Sequence, residues 1–329
     1  MRKHTGRETD ITGRKKMEKI SVEGLEIIGK GVTATIYLLD EHSILKVFRD
    51  VVSMQEIQYE YDCAKLVEKL GIRTPAARKI VSCDQGTGII YDRIKGMTLS
   101  DVMQKDKSKL YEYGVQYGRL TRSLHAKKVD GERIRRDKDA IRAFFDDCSD
   151  FITDREKEEI FRYIDLVPSA GCLLHGDLAP VNIMVEDGTL NVIDVPTIMV
   201  GHPVFDLLQP YSYCVKTTIL FGIYLEMSEK EKQGPVGQYL ARFQTRYLNA
   251  EQSQRLWNGF LMGYFGRDIG ERKKDLEHTL DIYYSIRQMG TVSMRRKFGD
   301  ETVKFLVDRG RNWFRDHKDA AAGIDFSLF

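Results

Sequence analysis

A chain of 329 residues, 42% hydrophobic and 30% charged, has the makeup of a globular protein with a sizeable core and room for one large or two medium domains, which argues against disorder. With 51 basic against 49 acidic side chains the net charge is only +2, too small an excess for a general nucleic-acid binder, so no nucleic-acid partner is expected. No run approaches the ~18 apolar residues of a membrane span, the first ten residues lack the apolar core of a secretory signal, and five scattered cysteines without a CxxC pair suggest no disulfide framework or zinc site; no membrane partner and a reducing cytoplasm are the expectation.

Residues 1–19 are polar and aperiodic and read as a loose tail. From Ile20 to Lys95 short β-like runs alternate with turn residues. Ser21–Ile28 reads as a strand, Gly29-Lys30-Gly31 as its turn, Ala34–Leu39 as the return and Ser43–Phe48 as a third strand. Across Ser53–Leu70 the apolar positions Ile57, Tyr61, Ala64, Val67 and Leu70 recur at helical spacing, with Gly71 as the stop. Arg78–Asp84 and Gly86–Ile94 read as two further strands. Beyond Gly96 the pattern is mostly helical, over Lys109–Lys127, Asp137–Phe151, Asp154–Ile164, Val204–Glu226, Pro235–Leu248, Glu251–Phe265, Gly270–Met289 and Thr302–His317. Cys172–Val195 interrupts it as a β-rich island with an Asp187-Gly188 turn.

The island carries the strongest chemical signal: His175-Gly176-Asp177-Leu178-Ala179-Pro180-Val181-Asn182, then Val192-Ile193-Asp194. Phosphoryl transfer from a nucleotide needs a carboxylate to orient a hydroxyl and oxygen ligands to hold Mg²⁺ against the phosphates. An Asp and an Asn five residues apart on one loop can supply the base and one ligand. A second Asp after the next strand can supply the other, and a short hairpin would bring Asn182 and Asp194 to the same end.

These segments resemble the catalytic and metal loops of the aminoglycoside phosphotransferase and choline kinase superfamily, whose pattern is His-Gly-Asp-Leu-x-x-x-Asn followed by Ile-Asp. Gly176 stands where protein kinases usually carry arginine. The resemblance implies a two-lobed protein-kinase-like α+β fold: a small antiparallel-sheet N-lobe over residues 20–95 and a larger, mostly helical C-lobe over residues 96–329. It further implies Asp177 as catalytic base, Asn182 and Asp194 as Mg²⁺ ligands, and ATP as donor. Upstream, Gly29-Lys30-Gly31 is similar to a kinase glycine-rich loop, with Ala34 in place of the third glycine. Ile44-Leu45-Lys46-Val47 resembles the strand whose lysine holds the α/β-phosphates. Buried among apolar residues, Lys46 needs a partner, and Glu60 is the expected one, with Glu56 the alternative. Gly86–Ile94 resembles the hinge strand, implying adenine contacts at the backbone of Asp92 and Ile94 with Tyr91 behind the ring.

Gly201-His202-Pro203-Val204-Phe205-Asp206-Leu207 resembles a family segment in which Asp206 holds the catalytic loop, and His202 departs from the usual Asp there. His175 is read as fixing the aspartate and His125 as a packing or capping residue. The C-terminal aromatics read mainly as core, and charge beyond Thr98 is nearly balanced, so the bulk sequence offers no acidic cleft for a polycation. Asp194 and Asp206 lie too close for a long activation segment, which favours a small acceptor over a protein. The expected function is therefore ATP-dependent transfer to a hydroxyl of an aminoglycoside-, sugar- or amino-alcohol-like small molecule. Protein phosphorylation, AMP transfer and a nucleotide-binding pseudokinase stay open as alternatives, and the sequence is silent on oligomeric state.

Overall fold

The computed structural model describes residues 17–129, 134–146, 148–318 and 326–329. The tail expected over residues 1–19 therefore lies outside the described residues as far as residue 16; Lys19 already belongs to a strand. The chain divides into two units, Met1–Gly96 with Asn191–Pro196, and Met97–Leu190 with Thr197–Phe329.

In the first unit, strands β1 (Lys19–Ile20), β2 (Ile27–Lys30), β3 (Ala34–Leu38), β4 (Ser43–Phe48), β5 (Ala77–Cys83) and β6 (Gly86–Asp92) form one sheet in the order β1-β5-β6-β4-β3-β2. Every pair is antiparallel except β1 with β5, where Lys19 and Ile20 run parallel to Ser82 and Cys83. The single strand expected over Ser21–Ile28 is broken by a turn at Gly24, which takes φ +77° while the Leu25 amide donates to the Val22 carbonyl at 3.2 Å. Consequently β2 runs through Gly29 and Lys30, and the turn to β3 begins at Gly31, whose amide donates to Ala34 O at 2.8 Å.

Alternation gives β4 two faces. Leu45 and Val47 join Val22, Tyr37, Val81, Cys83 and Ile90 in one apolar cluster. Lys46, in register with Ile89 on β6, points the other way. That is the side of helix α1 (Met54–Lys69), which buries Ile57, Cys63, Ala64 and Val67. Helix α1 starts with a full capping box: Ser53 accepts from the Glu56 amide and Glu56 accepts from the Ser53 amide.

The second unit opens with β7 (Met97–Thr98), α2 (Leu99–Lys105) and α3 (Leu110–His125). Then come β8 (Arg135–Arg136), α4 (Asp137–Ala143), α5 (Asp154–Leu166), β9 (Cys172–Leu174), β10 (Ile183–Glu186), β11 (Thr189–Val192), whose last two residues count with the first unit, and β12 (Met199–Gly201). Short strands form two small ladders, β7 against β10 and β8-β12-β9. The rest is helical: α6 (Pro203–Tyr211), α7 (Thr217–Glu226), α8 (Glu229–Gln233), α9 (Pro235–Ala241), α10 (Ala250–Phe265), α11 (Arg272–Gly290), α12 (Val292–Arg295) and α13 (Asp300–Lys318). The helix expected over Asp137–Phe151 stops at Ala143, where Phe144 and Phe145 turn to donate three residues back and the chain tightens. The run expected over Val204–Glu226 contains a π-helical turn at Ser212–Lys216, just past Pro210, with the Thr217 amide donating five residues back to Ser212 O.

Helices α3 and α10 meet through glycines. A Cβ on Gly114 or Gly118 would lie 2.3 or 2.1 Å from a backbone oxygen of α10, and one on Gly259 or Gly263 would lie 2.1 Å from a backbone oxygen of α3. Only residues without side chains allow two backbones so close. This packing holds the end of α3 where its terminal His125 reaches Asp206 of α6.

Candidate active site

Two carboxylates hold Lys46 in the first unit. Its ammonium donates to Glu60 Oε1 at 2.7 Å and Asp194 Oδ1 at 2.9 Å. The Lys46 side chain is 12% exposed and that of Glu60 4%. Burial alone would lower the Lys46 pKa, but the charges of Glu60 and Asp194 outweigh it and hold the pKa above its usual value. Glu56 is spent on the helix cap, which settles the pairing in favour of Glu60. Tyr91 is buried and its hydroxyl donates to Glu60 Oε1 at 2.9 Å. Burial and the Glu60 charge push the phenol up, keeping it a donor. Asp194 takes φ +59°, a left-handed backbone uncommon outside glycine.

Around the glycine turn, Gly29 lies in β2, where a Cβ would meet Ile36 at 3.3 Å. Gly31 has no such crowding: neither positive φ nor any neighbour inside 3.4 Å demands glycine there. Its carbonyl accepts from Arg49 Nη2 at 3.0 Å. At the end of β6 the Asp92 amide donates to Ala76 O at 3.0 Å and the Asp92 carboxylate takes Arg78, so any contact of Asp92 with a base falls to its carbonyl. Ile94 follows two residues later, half-buried.

In the second unit the loop after β9 carries Asp177 and Asn182. A fully buried Asp206, on α6, fastens it by accepting from the His175 amide at 3.0 Å and the Gly176 amide at 2.7 Å. Burial would raise the Asp206 pKa, but hydrogen bonding and charge from His125, with help from His175, hold it below the usual range. His125 bonds Asp206 Oδ2 through Nε2 at 3.0 Å and the Tyr264 hydroxyl through Nδ1 at 2.7 Å. Facing a carboxylate acceptor, Nε2 is the donating nitrogen. Tyr117 donates to the Leu178 carbonyl and Thr197 to the His175 carbonyl, the latter at 2.8 Å. Gly176 is required here: it takes φ +80°, and a Cβ would sit 2.4 Å from Thr197 O. His175 is buried, and its Nδ1 accepts from the Asp177 amide at 3.3 Å.

Asp177 itself is 41% exposed yet restrained. Asn182 Nδ2 donates to its backbone oxygen at 2.8 Å and to Oδ2 at 3.1 Å; Gln209 Nε2 donates to Oδ1; and Arg287 Nη2 lies 3.8 Å from Oδ1. Gln209 and Arg287 carry no motif and were missed by sequence reasoning. Gln209 follows Asp206 by one helical turn on α6, a spacing that could have found it. Nothing in the sequence marks Arg287 on α11. His202 starts α6, its Nδ1 accepting from the Val204 amide at 3.2 Å, and is buried against Phe326 and Phe329.

The donor chemistry suits a hard divalent cation. In the second unit Asn182 turns its amide nitrogen to Asp177, which directs its oxygen away from that carboxylate; in the first unit Asp194 offers a carboxylate with a half-exposed side chain. No group of three or more His, Cys, Asp or Glu side chains could hold a metal among the described residues.

A model of the APH family of phosphotransferase enzymes matches residues 24–224. The chain belongs to that family. No curated protein matches it. Among solved structures, this phosphotransferase resembles the gentamicin complex of APH(2")-IIa at 16% identity, over 92% of this chain and 94% of that one, with a TM-score of 0.52. It resembles the streptomycin and ATP ternary complex of APH(2")-IIa at 18% identity, over 88% and 93%, with a TM-score of 0.53. A choline/ethanolamine kinase family protein from Mesorhizobium loti matches at 12% identity, over 92% of both chains, with a TM-score of 0.57. At these identities the likeness establishes the fold, the α+β kinase-like arrangement of a sheet-based N-terminal part and a helical C-terminal part. No helix among the described residues is long and apolar enough to cross a membrane.

Proposed function

We propose that this phosphotransferase moves the γ-phosphate of ATP to a hydroxyl of a small molecule, with Asp177 as the base that orients the hydroxyl. The observation that carries this reading is a carboxylate both reachable and immobilised. Asp177 is held by Asn182 and Gln209 on a loop that Asp206 ties at two backbone amides. Transfer through a loose transition state asks little covalent chemistry of a protein and much positioning, and a restrained carboxylate supplies it.

Lys46, set by Glu60 and Tyr91, is the cation for the α/β-phosphates. Gly31, a glycine the fold itself does not need, suits a backbone approached by phosphate. The Asp92 carbonyl and the Ile94 backbone suit the adenine edge. Bound Mg²⁺ would offset phosphate charge, with Asn182 and Asp194 as its protein ligands. Neighbours crystallised with ATP or with aminoglycosides support a nucleotide donor and a small acceptor.

The test is transfer of labelled γ-phosphate from Mg·ATP into a pooled metabolite extract, with Asp177→Asn as control. A labelled small molecule made only by the wild-type protein is the expected result. Label in protein alone, no labelled product, or equal labelling by both forms would overturn it.

A further inference from the structure

A cavity of about 230 Å³ opens in the second unit beside the loop of Asp177. Ala179 of that loop and Gln209, which donates to Asp177, form one wall. Three guanidinium groups join the lining, from Arg246 before α10, Arg287 on α11 and Arg295 on α12. Tyr239 and Tyr284 add aromatic surface, and no Asp or Glu is among the lining residues. Asp177 stands 3.8 Å from Arg287, and the charge of Asp206 also acts on that guanidinium.

Arginine stays charged at any ordinary pH, even where burial lowers its pKa as it does for Arg287. Arg295 is pre-set by Nη1 donating to both the carbonyl and Oε1 of Gln288, each at 2.9 Å. Arg246 has no hydrogen bond or ion pair from its guanidinium among the described residues, so its donors are available to a ligand. Two carboxylates do not offset three guanidinium groups, and Asp206 already has its oxygens taken by His125 and two backbone amides. A polycationic acceptor entering this cavity would meet like charge in a partly desolvated site, where repulsion is least screened. Planar guanidinium forks instead match the oxygens of carboxylates and phosphates in paired hydrogen bonds.

We infer that this cavity is the acceptor subsite and that the acceptor is a hydroxyl compound bearing an oxyanion, a carboxylate or a phosphate monoester, gripped by Arg246 and Arg295 with Arg287 between the anion and Asp177. The inference rests on the phosphotransferase reading for its chemistry, but its binding part can be tested without turnover. The nucleotide-free protein is heated with millimolar glycerate, glycerol 3-phosphate or kanamycin, at matched ionic strength. A rise in Tm with glycerate identifies the carboxylate source and one with glycerol 3-phosphate the phosphate source; Arg246→Gln and Arg295→Gln should each lose most of the rise. Lys46→Ala should keep it, which separates this site from the nucleotide phosphates. No rise with either anion, a rise that survives both arginine variants, or a rise with kanamycin alone overturns the inference.

A metabolite extract split by ion exchange before reaction with labelled ATP tests the chemistry. Product from the anionic fraction, with an acceptor KM raised tenfold or more in Arg246→Gln, supports it. Product from the cationic fraction alone overturns it while sparing the phosphotransferase. Product from no fraction counts against the phosphotransferase reading, and the Tm series then decides the anion site by itself.

Discussion

Glu60 depends on Lys46 as much as Lys46 depends on Glu60. Replacing Lys46 by alanine leaves a carboxylate only 4% exposed with the Tyr91 hydroxyl as its remaining donor, and breaking one side of a buried pair costs about 3–5 kcal/mol. Lys46→Ala should therefore lose stability in denaturant unfolding as well as nucleotide affinity. Lys46→Ala combined with Glu60→Leu should recover most of the stability and none of the affinity; a double variant that binds ATP normally would remove Lys46 from the nucleotide site. His202 gives a pH-dependent case. Burial, helped by the charges of His125 and Lys138, lowers its pKa from 6.5 to about 4, and its cap needs a neutral Nδ1 to accept from Val204. Between those values the unfolded chain takes up the proton and the folded one does not, so stability rises with pH across that window and falls as pH drops from 6.5 toward 4. A difference of that size is on the order of 3 kcal/mol. His202→Asn keeps a capping acceptor and should unfold with a flatter pH dependence over that range, measured as the wild-type minus variant difference. Parallel pH profiles would assign the acid sensitivity to other groups.

At the scale of elements, the α3–α10 contact sets the position of His125 and hence of Asp206. Gly118→Ala places a methyl 2.1 Å from Phe260 O, and overpacking of this kind costs about 1–3 kcal/mol, or roughly 2–10 °C in Tm for a unit of this size. Gly222→Ala on α7, with no atom within 4 Å of its Cβ position, should leave Tm unchanged or slightly higher. Equal effects at both positions would mean the close approach is not limiting. The same packing marks how far the sequence could be read. Strands β3 to β6, α1 and the Lys46, Glu60, Asp177, Asn182 and Asp194 positions were legible because alternation, helical spacing, caps and loop motifs are local. The facing glycine pairs were visible as letters, but a single sequence does not say which helix meets which. The break at Gly24 went unread although Val22 and Leu25 stand three apart there, a step that strand alternation does not take. The π turn was hidden because one extra residue per turn barely disturbs apolar spacing, and Arg287 because its partner lies over 100 positions away.

For the whole molecule, a net charge of +2 conceals strong local asymmetry: three arginines line one cavity without a carboxylate. Average charge governs solubility, whereas local charge governs what binds. Binding in turn is felt by global stability, since a ligand taken only by the folded state adds about 2.7 kcal/mol at a hundredfold excess over its Kd. Mg·ATP should accordingly raise Tm by several degrees, and chelating the metal at constant ATP should remove most of the rise. Asp194 tests whose oxygen is responsible. Its left-handed backbone at φ +59° tolerates asparagine better than most residues, so Asp194→Asn removes the charge with little strain. The Mg²⁺ concentration giving half the Tm rise should then increase tenfold or more. Lys46 keeps Glu60 as partner in this variant, so the ligand-free Tm should change far less than in Lys46→Ala. If the Mg²⁺ midpoint is unmoved while the ligand-free Tm falls, Asp194 is a structural partner of Lys46 and the metal must be held by other oxygens.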